Sequence, residues 1–451
     1  MTVIRCPVHA AAARFPNRAA MVSPDRQLTY REWEDRVART TGQLQKSGIR
    51  SGQRVAILFP NDPEYLVLLF ALWRIGATAC PLNTRNPAAA IKKHIESLNC
   101  ETCIVHPSLP LTFKIKGTRV RRAMSEPKEL TAKNPPAGLN LNAVATILLT
   151  SGSSGRPKAV VHSLGNHYFN AKGSNENIPV GPGDRWLLSL PLYHVSGLGI
   201  VWRCALAGGA IVFSKQHDPI GGVIKRFSVT HVSLVATQLF RLLKHNNDVE
   251  ALQGLKAILL GGGPLAEDLL KKSLQLRLPI HITYGLTEMA SQVATSPNFR
   301  KTLRNIPKAG ILPYRNLKMS SDQEILVRGK TLFRGYWKEG KITKATDQHG
   351  WFATGDLGTL DRTGGLTVTG RKDRMFISGG ENIDPAEIEK VLLATGLVSE
   401  AVVIPEKDIE FGARPVAHLK TSSGKRIATA ALRSALRRML PSYKIPVRFY
   451  Q

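Results

Sequence analysis

The chain has 451 residues and carries 62 Lys+Arg against 33 Asp+Glu, a formal charge of +29. That length allows two or three domains around a large core and excludes a small scaffold stapled by disulfides. The charge calls for anionic partners, but only residues 114–122 concentrate it and no aromatics are interleaved, so a nucleic-acid surface is not expected. From Arg371 onward there are 14 Lys+Arg and 9 Asp+Glu, a net of +5, which leaves +24 on the first 370 residues. The excess is spread over the whole chain.

Five cysteines, an odd number, do not form a secreted disulfide framework and imply a reducing, cytoplasmic setting. Cys100 and Cys103, between His94 and His106, have a spacing that could ligate zinc. The expected reading is that residues 98–105 enter a buried strand in which both cysteines are small hydrophobes. The N-terminus lacks the apolar core of a signal peptide. The most apolar run, 65–80, is short and interrupted by Arg74 and Gly76, so it reads as a buried helix and no membrane span is expected.

In chain order, strand-like runs at 54–59, 104–106, 145–149 and 258–260 alternate with helical ones at 65–75 and 265–276, the pattern of an α/β protein with buried parallel strands. Residues 128–142, with Pro135-Pro136, read as a loop. From Glu324 the texture becomes β-rich, with a hairpin turning at Gly364-Gly365. After Gly370, Asp384-Pro385 opens a helix, followed by strands near 400–404 and 416–419 and a helix at 429–439. The expected division is a large domain of layered α/β subdomains with a β-rich subdomain over 1–370, and a small mobile α+β domain over 371–451.

The chemistry concentrates first in ATILLTSGSSGRPKAVVH, residues 145–162. A buried strand delivers Thr150, Ser151, Gly152, Ser153, Ser154 and Gly155, and Lys158 follows. Glycines let backbone N–H groups converge on an anion, hydroxyls add donors and the lysine adds charge, so this is a phosphate loop. No Gly-Lys-Ser/Thr closes it and Pro157 interrupts it, so it is not a Walker A motif.

That segment, together with Tyr284-Gly-Leu-Thr-Glu288, Thr354-Gly-Asp356 and Gly370-Arg371-Lys-Asp373, resembles the adenylate-forming superfamily of acyl-CoA synthetases, adenylation domains and luciferases. The resemblance runs from about Phe15 to the C-terminus with the motifs in order. It implies ATP, Mg²⁺ and CoA as the small-molecule substrates and cofactors, with Glu288 as the Mg²⁺ ligand and Thr287 at the α-phosphate. Tyr284 and Gly285, with Gly261, Gly262 and Gly263 between a strand and a Pro264-led helix, would flank adenine. Asp356 would accept the ribose hydroxyls with Arg371 beside it.

LLSLPLYHVSGLGIVWR, residues 187–203, resembles in particular the o-succinylbenzoate-CoA ligases of menaquinone synthesis. There His194 stands at the pocket mouth and Arg203 faces a second substrate carboxylate, a role that suits a planar guanidinium. Ser196, Gly197, Thr237, Ser291 and Gln292 would line the same pocket. Asp373 matches the hinge about which the small domain turns, and Ser378-Gly379-Gly380-Glu381 would line the pantetheine tunnel.

In the resembling family the catalytic lysine lies in a segment beyond LPSYKIPVRF, and this sequence ends at Gln451, so the expectation is either that the native chain is truncated here or that adenylation is weakened, with thioester formation retained. The expected activity is therefore ATP-dependent formation of o-succinylbenzoyl-CoA, with AMP and pyrophosphate. The competing readings are a synthetase for another aryl or alkyl acid, a nucleotide-binding member without full turnover, and a nucleic-acid binder. The sequence leaves the oligomeric state open, a homodimer included.

Overall fold

The computed structural model describes residues 2–110, 117–122, 138–150, 157–215, 217–263, 265–301, 306–421 and 428–450. Among these, two large sheets carry most of the chain. The first orders its eight strands Lys341–Thr343, Gly335–Lys338, Lys158–Ser163, Val144–Thr150, Thr78–Pro81, Arg54–Leu58, Thr102–Val105 and Arg119–Arg122. The second, of nine strands, has Ser291–Thr295, Ile280–Leu286, Ala257–Gly261, His231–Val235, Arg185–Leu187 and Ala210–Val212 as consecutive members. Neighbours from Ile280–Leu286 to Ala210–Val212 are parallel, and their apolar side chains are buried on both faces, as the α/β reading requires.

Local chemistry fixes the helices between them. Thr29 and Glu32 form a capping box for Tyr30–Lys46. Asp62 caps Pro63–Ile75, and Gly76 ends it at φ +81°, where a side chain would be strained. Pro63–Ile75 is apolar all round and buried along most of its length, packing Phe70 and Trp73 against Trp33 and Trp202. Among the described residues no helix is long and apolar enough to cross a membrane. Cys100 and Cys103 are buried at the edge of Thr102–Val105, and burial pushes the Cys103 thiol up to about 12, as expected for small hydrophobes.

The β-rich segment is a four-stranded antiparallel sheet of Arg315–Met319, Glu324–Gly329, Phe352–Leu360 and Leu366–Arg371. In the predicted turn only Gly364 has positive φ, at +81°. Leu366–Arg371 runs across the expected boundary at 370, with Arg371 paired to Asp356. Beyond it come a hairpin (Phe376–Ser378 and Glu381–Ile383), the helix Pro385–Ala394 capped by Asp384, and a three-stranded sheet, Val398–Asp408, Gly412–Thr421 and Arg448–Tyr450. These enclose their own core around Ile388, Leu392, Val403, Leu432 and Leu436.

Two sequence expectations need correction. The helix after Gly263 begins at Glu267 with Ala266 at its cap, later than the expected start; Pro264 lies outside the described residues. The 128–142 segment is not all loop, because Gly138–Asn140 pairs antiparallel with Val3–Arg5. That pairing partner is more than 130 residues away and leaves no local trace. The remainder of that segment, 128–137, lies outside the described residues.

One buried charge joins the first helices to the core. The Arg74 side chain is fully buried, and both its terminal nitrogens donate to Glu34, Nη1 at 3.0 Å. Removing one partner of a buried pair leaves the other charge uncompensated. Glu34→Ala is expected to destabilise the fold by about 3 kcal/mol, read as a shift of the chemical-denaturation midpoint with an unchanged slope.

Candidate active site

One cleft of about 3360 Å³ runs between the two large sheets, the β-rich sheet and the C-terminal unit. It receives most of the residues singled out in the sequence. The strands flanking the phosphate loop pair antiparallel with Thr150 opposite Lys158, and both residues line the cleft. The loop residues Ser151, Gly152, Ser153, Ser154 and Gly155 lie outside the described residues. Lys158 Nζ stands 5.6 Å from the centre of the Tyr336 ring.

The strand Ile280–Leu286 ends in the short turn Thr287–Met289, which brings Tyr284, Gly285, Thr287 and Glu288 to the cleft wall. Gly285 has a steric reason: a Cβ there would stand 2.2 Å from the Ser291 carbonyl oxygen. Glu288 Oε1 accepts from the Tyr336 hydroxyl at 2.7 Å, and burial, with the Glu288 charge, pushes that phenol well above its usual range. His162 donates from Nε2 to the Thr287 carbonyl at 2.7 Å, and burial holds its ring neutral with a pKa of about 4. That tie between the strand after the phosphate loop and the Thr287 turn was not legible from the sequence, since His162 and Thr287 are 125 residues apart.

Opposite, Gly261 ends its strand and Gly262 turns at φ +83°. A Cβ on Gly263 would meet Ile377 at 2.9 Å, so this glycine lets the C-terminal hairpin approach. Asp356 Oδ2 accepts from the Tyr284 hydroxyl at 2.7 Å and Oδ1 from Arg371 Nη1 at 2.6 Å. Arg371 also forks onto Asp373 at 2.7 and 2.8 Å. Burial raises the Asp356 carboxyl, opposed by the Arg371 charge and the Tyr284 hydrogen bond, while the bonds to Asp373 raise Arg371.

At the acyl end, the helix Val195–Ala207 has His194 at its cap position. His194, Ser196, Thr237, Ser291, Gln292 and Arg203 line the cleft. Gly197 does not; its missing Cβ would stand 2.2 Å from the Pro191 oxygen, so it serves helix packing. Arg203, which as the residue after an apolar helix could have been a surface group, is fully buried. Its Nη2 donates to Gln292 Oε1 at 2.6 Å, while Nε and Nη1 are buried without a partner. Burial lowers its pKa to about 10. Buried N–H groups left unpaired are costly, and the residue that carries them lines the cleft.

The C-terminal hairpin enters the same space. Gly379 and Gly380 turn at φ +58° and +86°, with Thr237 and Val235 close by, and present Glu381 to the acyl end. Glu381 pairs with Arg85 Nη2 and lies 3.4 Å from His194 Nε2. Burial opposes its ionisation, yet the hydrogen bond and charge of His194 and the charge of Arg85 pull its carboxyl down to about 2. Arg85 also donates to the Tyr193 hydroxyl at 3.0 Å and lies 5.0 Å from the Tyr443 ring centre. Arg85, Tyr193, Tyr336 and Tyr443 were not singled out in the sequence: Arg85 and Tyr336 sit outside the motifs, Tyr193 and Tyr443 sit inside quoted segments, and each becomes relevant only through its partner.

Residues 8–337 match the AMP-binding enzyme family. The 2-succinylbenzoate–CoA ligase of Bacillus licheniformis is 34% identical over 453 residues, covering 96% of this chain and 93% of that protein. The Haemophilus influenzae ligase of the same name is 35% identical over 425 residues, covering 94% and 88%. A double mutant of the Bacillus subtilis o-succinylbenzoate CoA synthetase bound with a product analogue is similar at TM-score 0.90 and 30% identity, with 99% of this chain and 94% of that chain covered. The same synthetase with its acyl-adenylate intermediate aligns at TM-score 0.74 and 31% identity, covering 100% and 95%. With motifs in order, a cleft that gathers them and this span of similarity, the chain belongs to the AMP-binding enzyme family.

Proposed function

We propose that this protein joins 2-succinylbenzoate to CoA through an acyl-adenylate, at the expense of ATP. The observation that carries the choice of acid is Arg203: a buried guanidinium with two nitrogens that lack an acceptor, set at the acyl end of the cleft that also holds Tyr284, Thr287, Glu288 and Asp356. A diacid has one carboxylate to react and one to occupy those donors. The relatives named for this acid support the same reading.

In the first step a carboxylate oxygen of the acid attacks the α-phosphorus of ATP; the P–O bond to the β-phosphate breaks and pyrophosphate leaves. In the second the CoA sulfur attacks the acyl carbon; the acyl C–O bond breaks, AMP leaves, and the thiol proton passes to solvent. The protein must hold anions together and stabilise spreading phosphate charge. Lys158 and the loop Ser151–Gly155 would do so at the phosphates, with Thr287 at the α-phosphate. Glu288 would hold Mg²⁺ together with ATP phosphates; a single carboxylate suits an ion that takes one or two protein ligands beside phosphate and water. Bound there, the ion neutralises phosphate charge. The Bacillus subtilis synthetase has been solved with ATP and magnesium.

Tyr284, Gly285 and Gly261–Gly263 would flank adenine, and Asp356 and Arg371 the ribose. A carboxylate has about four lone-pair positions, so Asp356 can keep its two present donors and still accept hydroxyls. His194, Ser196 and Ser291 would face the acyl group, and Gly379 and Gly380 the pantetheine. We take residues 1–370 and 371–451 as the two domains and Asp373 as the hinge between them. The higher TM-score to the product-analogue complex than to the adenylate complex supports a lid orientation suited to thioester formation. A reducing cytoplasmic compartment fits five thiols that are all buried and unbridged.

Incubation with ATP, Mg²⁺, CoA and 2-succinylbenzoate is expected to yield the thioester, AMP and pyrophosphate, and a parallel reaction from the synthetic acyl-adenylate is expected to yield the thioester. A folded protein that gives neither would sink the reading. Arg203→Ala is expected to raise KM for the diacid about 30-fold or more and leave KM for ATP within about twofold, the scale of losing one side of a buried charge contact.

Arg85→Ala is expected to slow thioester formation from the adenylate more than it slows adenylation without CoA, because Arg85 holds Glu381 and the hairpin in the cleft. The Glu381 carboxyl is depressed, so its contribution is fully present above the usual value of about 4.3 and is lost only as pH falls through about 2. Replacement by Gln should therefore leave the shape of the rate profile between pH 5 and 8 unchanged.

A further inference from the structure

Two arginines lie in the interior at the acyl end, and among the described residues neither forms an ion pair. Arg203 is 1% exposed and Arg315, at the start of Arg315–Met319, is 5% exposed. Gln292 joins them. Its side-chain Oε1 accepts from Arg203 Nη2 at 2.6 Å, and its main-chain oxygen accepts from Arg315 Nε at 2.7 Å. Gln292 Nε2 donates to Thr295 Oγ1 at 2.9 Å, which fixes the amide with its oxygen toward Arg203.

The two guanidinium groups are satisfied differently. Arg315 gives its other nitrogens to the carbonyls of Pro313 at 2.6 Å and Asn170 at 3.1 Å. Each of its three nitrogens has an acceptor, but all the acceptors are neutral. The helix beside it makes room with Gly173, whose Cβ would stand 2.6 Å from Arg315 Nη1. Arg203 has one hydrogen-bond acceptor, also neutral, lies 5.0 Å from the centre of the Trp186 ring, and has two buried nitrogens, Nε and Nη1, without an acceptor. Glu176, the carboxylate whose charge bears on Arg315, is exposed and bonded to the Tyr314 hydroxyl.

A lone buried cation is costly, and two near each other more so. Burial and the Arg203 charge lower Arg315 to about 9, in line with that repulsion. Folded proteins neutralise such groups with Asp or Glu; here the nearest polar side chain is an amide that orients one guanidinium without cancelling its charge. The arrangement leaves two positive charges without an ion-pair partner among the described residues, at the acyl end of the cleft that Arg203 and Gln292 line.

We infer that Gln292 and Arg315 determine specificity for a dianionic acid: Gln292 positions the Arg203 fork, and Arg315 supplies a second fixed positive charge behind it, so that the remote carboxylate of the substrate completes the charge balance. The inference rests on the diacid reading above and extends it to two residues that do not touch the reacting atoms.

The test compares wild type, Gln292→Glu, Arg315→Gln and Arg315→Lys by thioester formation with 2-succinylbenzoate and with its two analogues that each lack one carboxylate. Gln292→Glu keeps size and shape but installs the missing anion. It should lower kcat/KM for the diacid at least about tenfold, chiefly through KM, and change that for the better single-carboxylate analogue by less than about threefold. It should also raise the melting temperature, since the buried cations gain a counter-ion. Arg315→Gln should show the same selective loss, and Arg315→Lys, which keeps the charge, should recover part of it.

Equal losses on diacid and analogue, or no loss on the diacid with either Gln292→Glu or Arg315→Gln, would overturn the inference while leaving the diacid reading standing. A wild type that handles a single-carboxylate analogue as well as the diacid would overturn the diacid reading itself, and the inference with it. If Arg315→Gln does not fold, the shape-conserving Gln292→Glu decides alone.

Discussion

The pairing of Arg371 with Asp356 and Asp373 fixes where the last eighty residues of the chain go. Arg371 is the final residue of the β-rich sheet, and its guanidinium is held at once by a carboxylate of that sheet and by one two residues further along. The direction of the chain through residues 372–375 follows from that fork, and with it the placement of the Phe376–Ile383 hairpin in the cleft. The contacts of Glu381 with Arg85 and His194, and the closeness of Gly263 to Ile377, exist only because the hairpin is delivered there. The same Asp356 accepts from Tyr284, so the junction and the nucleotide wall share one carboxylate.

Along the cleft, positive charge is treated in two ways. Where the side chains keep some exposure it is paired: Arg85 with Glu381, Arg371 with two aspartates. In the interior, Arg203 and Arg315 are hydrogen-bonded to neutral acceptors only. The two treatments suit different tasks. A paired charge fixes geometry and can exchange partners near solvent, whereas an unpaired one in a water-poor pocket keeps its full attraction for an incoming anion. The diffuse +29 of the chain has no part in this distinction, since the charges that matter are four arginines at particular places.

Much of the fold was legible because it is written locally. The apolar run that becomes Pro63–Ile75 is bounded by an Asp-Pro start and a glycine stop, and the buried strands at 54–58, 144–150 and 257–261 are short apolar blocks between turn residues. The nucleotide side of the site was legible for a related reason. Tyr284, Thr287 and Glu288 sit in one strand-and-turn, and Asp356 and Arg371 on adjacent strands of one hairpin, so short motifs carry them. Gly197 was misplaced because a glycine needed for close packing of a helix and one needed to line a pocket look alike in sequence. The strand Gly138–Asn140 was read as loop because its only partner is at the other end of the domain.

The sequence by itself determined the chemistry available: a hydroxyl- and glycine-rich anion loop, a carboxylate in a Thr-Glu turn, an arginine within an apolar run, and a separate α+β unit at the end. Only the tertiary structure decided which of these groups meet and in what charge state. That Arg203 is buried without a counter-ion, that Gln292 and not an acid answers it, and that Arg315 lies behind it depend on three elements separated by more than 80 and 20 residues along the chain. Burial and pairing are properties of surroundings, and side chains assembled across a fold supply surroundings that no local pattern records.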